Sequence, residues 1–232
     1  ISIGQAAIQS GMTTAFLSNS AMTKAKSHQF MTDKRVANDA PAYQEFACFT
    51  LGTRIKTSRG ECAIEDLQIG DRVITRDHGL QPVRWTGQRT LPAIGVMAPI
   101  EVDEGTLGCT TPLRVSPNHR MLISGAMAEL ICGEEEMLIS AQNLVNDRTV
   151  RRVEGGFVTY IHIMFEQHEI IFAQGVATES FHPGSFGVEC LAPKAREELF
   201  TLFPQMRADL SSYGQSARRT LRAIEAKVLK NF

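Results

Sequence analysis

The stretch that decides the fold of this chain reads CFTLGTRI and runs from Cys48 to Ile55. Its first residue, Cys48, opens the first part of the chain that has the pattern of packed structure. The preceding residues, 1–47, are rich in Ser, Thr, Ala, Gln and Met and show weak periodicity. We therefore expect residues 1–47 to be a flexible leader rather than a folded domain.

A second stretch carries the other groups that chemistry would need, and it reads VSPNHRMLI from Val115 to Ile123. Here Ser116 precedes His119 by three positions, between apolar strand segments. A thiol, a histidine and a hydroxyl form a set that can perform acyl transfer. Because Cys48 stands at the end of the leader, the nearest electrophile is its own peptide bond to Ala47. This position predicts self-cleavage rather than action on another molecule.

Composition excludes several classes of function. The 232 residues are 43% apolar and 21% charged, which is typical of a globular protein with one large or two small domains. A formal net charge of −1 argues against nucleic acid as an obligate partner. We expect no transmembrane segment, because no apolar run reaches about eighteen residues. The chain begins with Ile1 rather than Met, so we expect a trimmed product or a fragment.

The cysteine count offers little sign of a metal site. The five cysteines are Cys48, Cys62, Cys109, Cys132 and Cys190, and no two of them form a C-x-x-C pair. This spacing argues against a zinc cluster and against a compact disulfide framework. One thiol kept free for chemistry fits the count, and so do five reduced, mostly buried cysteines. We expect no metal and no cofactor.

Short β segments separated by turns follow Cys48. Asp77-His78-Gly79 predicts a hairpin tip in which His78 is only a turn residue. An internal echo relates residues 66–73 to residues 143–150, and it predicts a duplicated β subdomain. Within the echo, Gly70 and Asn146 are the residues that would take left-handed backbone at the end of each turn.

The pattern becomes helical after Cys190. Pro193 can open a helix, and Pro204 should interrupt it. Ser216 can cap a final helix. The apolar face of that helix would consist of Ala217, Leu221, Ile224 and Val228. We expect this face to dock on the β domain, with a lipid or partner surface as the alternative.

Taken together and in this order, these blocks resemble the Hint family, the module shared by hedgehog autoprocessing domains and inteins, and most closely its bacterial hedgehog/intein-type members. The resemblance runs from Cys48 to about Pro183. The opening block is Cys48-Phe49-Thr50-x-Gly52-Thr53-x-Ile55, and Ser116-x-x-His119 matches a block that usually reads Thr-x-x-His. The segment from Tyr160 to Gly175, with His162 and His168, is similar to the closing strand pair.

The resemblance implies a fold and a division of the chain. The fold would be all-β, a pseudo-two-fold horseshoe or disk. The Hint-like domain would span residues 48–189, between the leader at 1–47 and a helical appendage at 190–232. The leader would then be the substrate of its own chain. The sequence does not settle the compartment, and a secreted or cell-surface bacterial location is compatible with it.

The resemblance also implies roles for residues. Cys48 would attack the carbonyl of Ala47 and convert the amide to a thioester, with His119 as the acid for the leaving nitrogen. Ser116 would orient the scissile carbonyl or the histidine. His162 and His168 are further candidates, and His162 stands near the position where splicing relatives often carry an Asp. Each of these cysteine and histidine side chains could instead be an ordinary core residue.

The closing end departs from splicing relatives. Those finish with His-Asn before a nucleophile, whereas residues 175–181 contain no asparagine and Asn231 lacks the flanking context. We therefore predict single-turnover cleavage before Cys48, with the thioester resolved by water or an external acceptor nucleophile and without full splicing. The acceptor itself is not indicated.

Two alternatives remain open. A trans-acting cysteine peptidase would also use Cys and His. A decayed Hint domain could act as an interaction or secretion module. A zinc-protease helix beginning at His168-Glu169 is rejected because the second histidine is missing.

Overall fold

The computed structural model describes residues 47–184, 188–189 and 191–229. The strands are β1 (Phe49–Thr50), β2 (Arg54–Thr57), β3 (Gly60–Ala63), β4 (Arg72–Thr75), β5 (Gly79–Pro82), β6 (Trp85–Pro92), β7 (Ile100–Val102), β8 (Leu113–Val115), β9 (Arg120–Ser124), β10 (Glu136–Ser140), β11 (Val150–Arg152), β12 (Phe157–Met164), β13 (Ile170–Ala173) and β14 (Val176–Glu179). The α-helices with defined bounds are α1 (Ala126–Cys132), α2 (Pro193–Leu202) and α3 (Ala223–Leu229).

These strands form two antiparallel sheets. The first has six strands in the order β11-β7-β8-β1-β12-β6. The second has the order β10-β9-β14-β13-β2-β4-β5, with β3 paired to β2 at the side. Helices are few, and the predicted all-β class is confirmed. The chain passes between the sheets repeatedly, because β1, β8 and β12 belong to the first sheet and β2, β9 and β13 follow in the second.

Alternating burial explains how short strands build a core. In β2, Arg54 and Lys56 are exposed while Ile55 and Thr57 are buried, as expected for successive side chains that point to opposite faces. The largest hydrophobic cluster draws on both sheets. Phe49 and Ile161 contribute from the first sheet, and Ile171 contributes from the second.

The internal echo is visible in the structure. A 3₁₀ turn at Ile64–Asp66 leads into β4, and a 3₁₀ turn at Ala141–Leu144 leads into β11. Gly70 has a φ of 94°, as predicted, but in the second copy the left-handed residue is Asp147, with a φ of 56°. Asn146 serves the turn differently, since its side-chain oxygen accepts the backbone N–H groups of residues 148, 149 and 150 at 3.0 Å each.

The helical C-terminal segment packs on the β strands. Helix α2 begins at Pro193 and ends at Leu202, and a 3₁₀ turn follows at Pro204–Arg207, as the sequence predicts. A second hydrophobic cluster combines Trp85 and Phe181 with side chains from the C-terminal segment. These partners are Leu191, Leu199, Phe203, Met206 and Tyr213.

The prediction for the final helix was wrong in its start and its face. Ser216 does not cap a helix, because α3 begins only at Ala223. The preceding residues pair instead with the backbone of Leu138, which donates to the Arg219 carbonyl at 2.9 Å and accepts from Leu221 N–H at 2.8 Å. Ile224 is 72% exposed, and the side chain of Val228 lies outside the described residues.

The predicted flexible leader falls on residues that the structure does not describe, except for Ala47. The three-part division at residues 47/48 and 189/190 therefore stays a prediction. Within the described ranges, no helix combines the length and apolar character that crossing a membrane would require.

Candidate active site around Cys48

Strand register places Cys48 between two of the predicted site residues. Strand β1 lies between β8 and β12, with Phe49 opposite Val115 on one side and Ile161 on the other. One residue earlier, Cys48 comes between Ser116 and His162. Cys48 thus has one of the predicted site residues on each flank, and the two come from distant parts of the chain.

Ser116 contacts the backbone nitrogen of Cys48. The N–H of Cys48 donates to Oγ of Ser116 at 3.0 Å, and the N–H of Ser116 donates to the Cys48 carbonyl at 2.9 Å. A tight turn closes here, since His119 N–H donates to the Ser116 carbonyl at 3.0 Å. The turn leads from β8 in the first sheet to β9 in the second. The hydroxyl of Ser116 therefore contacts the nitrogen of Cys48, whereas the prediction was that it orients the Ala47 carbonyl or the histidine.

His162 contacts both the Cys48 thiol and the Ala47 carbonyl. The Sγ atom of Cys48 is 3.4 Å from Nδ1 and 3.5 Å from Nε2 of His162. Nδ1 is also 3.1 Å from the carbonyl oxygen of Ala47. A carbonyl can only accept, so this contact requires the proton on Nδ1. In the neutral ring Nε2 then carries the lone pair, at a distance from which it can accept the thiol proton.

Aromatic packing fixes the His162 ring. Trp85 stacks on it with ring centroids 6.1 Å apart, and Phe181 meets it edge-on at 4.8 Å. Gly87 lies opposite His162 in the neighbouring strand. A Cβ atom at Gly87 would lie 2.4 Å from Cη2 of Trp85, so only glycine leaves room for the indole here.

Burial keeps the central pair neutral. It lowers the pKa of His162 to about 4, although the hydrogen bond to Ala47 favours protonation. Burial also raises the pKa of the Cys48 thiol well above its usual value, against the opposing hydrogen bond from Ser116, and the charge of Glu179 raises it further. At neutral pH the resting site therefore holds a thiol and a neutral imidazole rather than an ion pair.

His119 lies beside this group without bonding to the thiol. Its Nε2 is 2.5 Å from Oγ1 of Thr178, and its ring meets Phe49 edge-on at 4.4 Å. Burial lowers its pKa to about 4, with further contributions from neighbouring charges. Among the described residues, Nδ1 of His119 has no hydrogen-bond partner. A buried polar atom without a partner costs about 1–3 kcal/mol, so a functional reason for this one is worth seeking.

His168 belongs to a neighbouring buried cluster. Its Nε2 lies 3.2 Å from both the Glu179 carboxylate and the Ser180 carbonyl, while Nδ1 accepts the Ala217 N–H at 2.8 Å. The described contacts of His168 are thus to the end of β14, to the residues that follow it, including the ring of His182, and to the C-terminal segment, and they do not include Cys48.

The buried carboxylate of Glu179 is a feature that we did not foresee. Its Oε1 accepts the backbone N–H of Arg120 at 2.7 Å and its Oε2 accepts Nε of Arg120 at 2.7 Å. Burial opposes ionisation, but Arg120 and His168 outweigh it and lower the pKa of Glu179 to about 2. The run Thr178-Glu179-Ser180 was the available signal, since three polar residues in succession close the last predicted strand segment.

His78 is more than the turn residue that we expected. It does lie between β4 and β5, but its Nδ1 is 2.9 Å from Oε2 of the buried Glu169. The hydrogen bond and the charge of Glu169 raise the pKa of His78.

No group of three or more His, Cys, Asp or Glu side chains in the described ranges is arranged to hold a metal ion.

A small cavity adjoins Cys48. Its volume is about 20 Å³, room for about one water molecule. The start of the C-terminal segment supplies one wall, through Leu191, Ala192 and Ala195. The other lining residues are Gln88, Arg89, Leu91, Tyr160 and His162.

Comparison with known proteins identifies the family of the chain. A search of curated proteins found no match. The bacterial intein-like domain from Clostridium thermocellum is 16% identical, with a TM-score of 0.41 over 57% of this chain and 97% of that one. A DnaB intein from Synechocystis sp. is 10% identical, with a TM-score of 0.37 over 57% and 97%. The gp41-1 intein is 13% identical, with a TM-score of 0.37 over 56% and 96%. The family model of the Hint domain matches residues 47–185, more than half of the chain. The chain belongs to the Hint domain family.

Proposed function

We propose that this protein cleaves its own peptide bond before Cys48 by an N-to-S acyl shift, and that water or an external nucleophile resolves the thioester without splicing. The Hint fold supports autoprocessing chemistry in general. One observation carries the specific proposal. His162 contacts both the Cys48 thiol and the Ala47 carbonyl oxygen, while Ser116 contacts the nitrogen between them.

The first step forms the carbon–sulfur bond. Nε2 of His162 accepts the thiol proton, and Sγ attacks the carbonyl carbon of Ala47. Negative charge then develops on the Ala47 oxygen, where Nδ1–H of His162 already donates. A donor that is placed on the developing oxyanion before reaction stabilises the transition state.

The second step breaks the carbon–nitrogen bond. The nitrogen of Cys48 leaves as an amine and needs a proton, so that the proton taken from sulfur ends on nitrogen and the step is balanced. In the resting site the Ser116 hydroxyl accepts the N–H of Cys48 and so holds this nitrogen in place. His119, whose ring packs edge-on against Phe49, the residue after Cys48, is the second base and relays the proton from His162 to the leaving nitrogen.

Resolution of the thioester ends the reaction. Water attacks the thioester carbonyl, releases the leader as a carboxylic acid ending at Ala47 and regenerates the Cys48 thiol. No asparagine follows the closing strand between residues 175 and 184, so cyclisation cannot release the C-terminal side. In this scheme His168 supports the site through Glu179 and takes no part in proton transfer.

Burial of the thiol favours self-cleavage over the peptidase alternative. Cys48 is 1% exposed. An added peptide would have to displace core side chains to reach Sγ, whereas the Ala47 carbonyl is already within contact of the same histidine.

Incubation with hydroxylamine, followed by intact-mass measurement, tests the proposal. We expect a leader derivative ending at Ala47 and a fragment starting at Cys48. Cys48→Ala should yield neither, while Cys62→Ala and Cys109→Ala, which replace other free thiols, should cleave normally. Cleavage that persists in Cys48→Ala, or a wild-type chain that stays intact, would sink the proposal. The intact outcome would leave the interaction module as the better account.

A further inference from the structure

The hydroxyl of Thr178, in the closing strand, bears on which ring nitrogen of His119 carries the proton. Thr178 in β14 is fully buried, and its Oγ1 lies 2.5 Å from Nε2 of His119 and 2.9 Å from the carbonyl oxygen of Arg120. The sulfur atom of Met121 lies 3.5 Å from the same Oγ1 atom. The Arg120 carbonyl only accepts, and Thr178 donates its single hydroxyl proton to it across the 2.9 Å contact.

The oxygen of Thr178 must then accept from His119. Nε2 of His119 therefore carries the ring proton, and in a neutral imidazole the other nitrogen holds the lone pair. That other nitrogen, Nδ1, is the buried atom for which the described residues offer no hydrogen-bond partner. The arrangement leaves one basic atom vacant on a ring that packs against Phe49, the residue after the nucleophile.

We propose that Thr178 is a positioning residue that holds His119 in the Nε2–H tautomer, so that Nδ1 accepts the proton that His162 has taken from sulfur and gives it to the Cys48 nitrogen as the carbon–nitrogen bond breaks. This inference rests on the proposed function. It also differs from the expectation that His119 is the acid for the leaving nitrogen from the start of the reaction. The resting ring is not an acid ready to protonate the leaving nitrogen, because its one proton is engaged by Thr178. It becomes an acid only after Nδ1 has accepted a proton.

The strand itself does not need this hydroxyl. Thr178 already pairs through its backbone with Met121 of β9 and with Ile171 of β13. A valine has the same branched shape and fits a strand equally well. Replacing Thr178 by Val therefore removes the hydrogen bond to His119 while leaving the strand pairing in place.

Single-turnover cleavage by hydroxylamine in matched variants tests the role. Thr178→Val should cut the cleavage rate by about 10-fold or more, the range typical for groups that orient a reacting side chain. Thr178→Ser keeps the hydroxyl and should restore a rate close to that of the wild type. Thr57→Val is the control, because it removes another buried hydroxyl bond, from Thr57 to the Gly60 carbonyl, away from the site. A Thr178→Val rate equal to that of the control would overturn the inference.

A second readout does not depend on cleavage. Nitrogen NMR of ¹⁵N-histidine-labelled full chain distinguishes the two tautomers, and His119→Gln assigns the signals. We expect His119 to be neutral and protonated on Nε2 in the wild type, and to lose this preference in Thr178→Val. A wild-type His119 protonated on Nδ1 contradicts the inference. A chain that does not cleave overturns the proposed function, whereas the tautomer decides the role of Thr178 separately.

Discussion

Cys48 and His162 are 114 positions apart in sequence, yet Sγ of the first lies 3.4 Å from Nδ1 of the second. The contact follows from the pairing of β1 with β12, which places the residue before Phe49 beside the residue after Ile161. His119 was the histidine expected to serve the scissile bond. In the structure His162 lies within hydrogen-bond distance of the Ala47 carbonyl oxygen. The ring of His119 contacts Thr178 and Phe49.

Replacement of His162 gives the first prediction. His162→Gln should slow hydroxylamine-dependent cleavage by about 10²–10⁴-fold, because an amide side chain cannot act as the base for the thiol. The rate is measured from intact masses over time. His78→Gln, which replaces a histidine at a hairpin tip, is the matched control and should cleave at the wild-type rate. Equal rates in the two variants would remove His162 from the mechanism.

The general fold was accessible from sequence because it depends on local patterns. Short β segments with turn residues between them predicted the all-β class, and the order of the Cys48 and Ser116–His119 blocks indicated the family. Pro193 and Pro204 marked the bounds of α2 correctly, since proline acts through its own backbone. These signals do not require knowledge of which strands pair.

The details of the site depend on pairing and were not accessible in the same way. His162 and His168 were equal candidates, but the register of β12 places His162 beside the thiol, while His168 lies in the connection between β12 and β13 and contacts Glu179. The same holds for Ser216, whose local context indicated a helix cap. Tertiary contacts with Arg120 and His168 prevail there, at 3.3 Å each.

The size of the cavity at Cys48 predicts which external nucleophiles can resolve the thioester. A space of about 20 Å³ admits a water-sized group, so hydroxylamine should react far faster than a bulky aromatic thiol. A free peptide thioester in the same buffer supplies the intrinsic ratio of the two rates. We expect the ratio in the protein to exceed the intrinsic ratio by about 10-fold or more, as a steric difference of about 1.4 kcal/mol would give.

A substitution in the wall of the cavity tests whether its size selects the nucleophile. Leu191→Ala should widen the space and move the ratio towards that of the free thioester. Leu210→Ala truncates a leucine that packs on the same hydrophobic cluster without lining the cavity, and it should leave the ratio unchanged. A wild-type ratio already equal to that of the free thioester would mean that the C-terminal wall does not select the nucleophile.

The closing strand predicts the fate of the C-terminal side. β14 ends at Glu179 and is followed by Ser180, which is fully buried, and no residue from 175 to 184 is an asparagine. A tag fused after Phe232 should therefore stay attached while the leader is lost, as followed by gel and intact mass. Recovery of a ligated leader-plus-tag product would demonstrate splicing and contradict the proposed function.

The last prediction is that the protein loses stability in mild acid, because His119 and His162 are buried. The pKa values of His119 and His162 are lowered to about 4 in the folded chain, mainly by burial, against about 6.5 when unfolded. Between these values the unfolded chain binds protons at both sites and the folded chain does not. The free energy of unfolding must therefore fall as the pH drops from about 6.5 towards 4.

Each histidine can contribute a slope of up to about 1.4 kcal/mol per pH unit within that window. His182, whose pKa is also lowered to about 4, acts in the same direction, while the raised pKa of His78 acts against it. Urea unfolding of the Cys48→Ala chain at pH 7, 6 and 5 measures the slope without interference from cleavage. His119→Gln should reduce that slope by roughly the share of one histidine. A free energy of unfolding that stays constant or rises from pH 7 to pH 5 would show that these histidines are not held neutral by the fold.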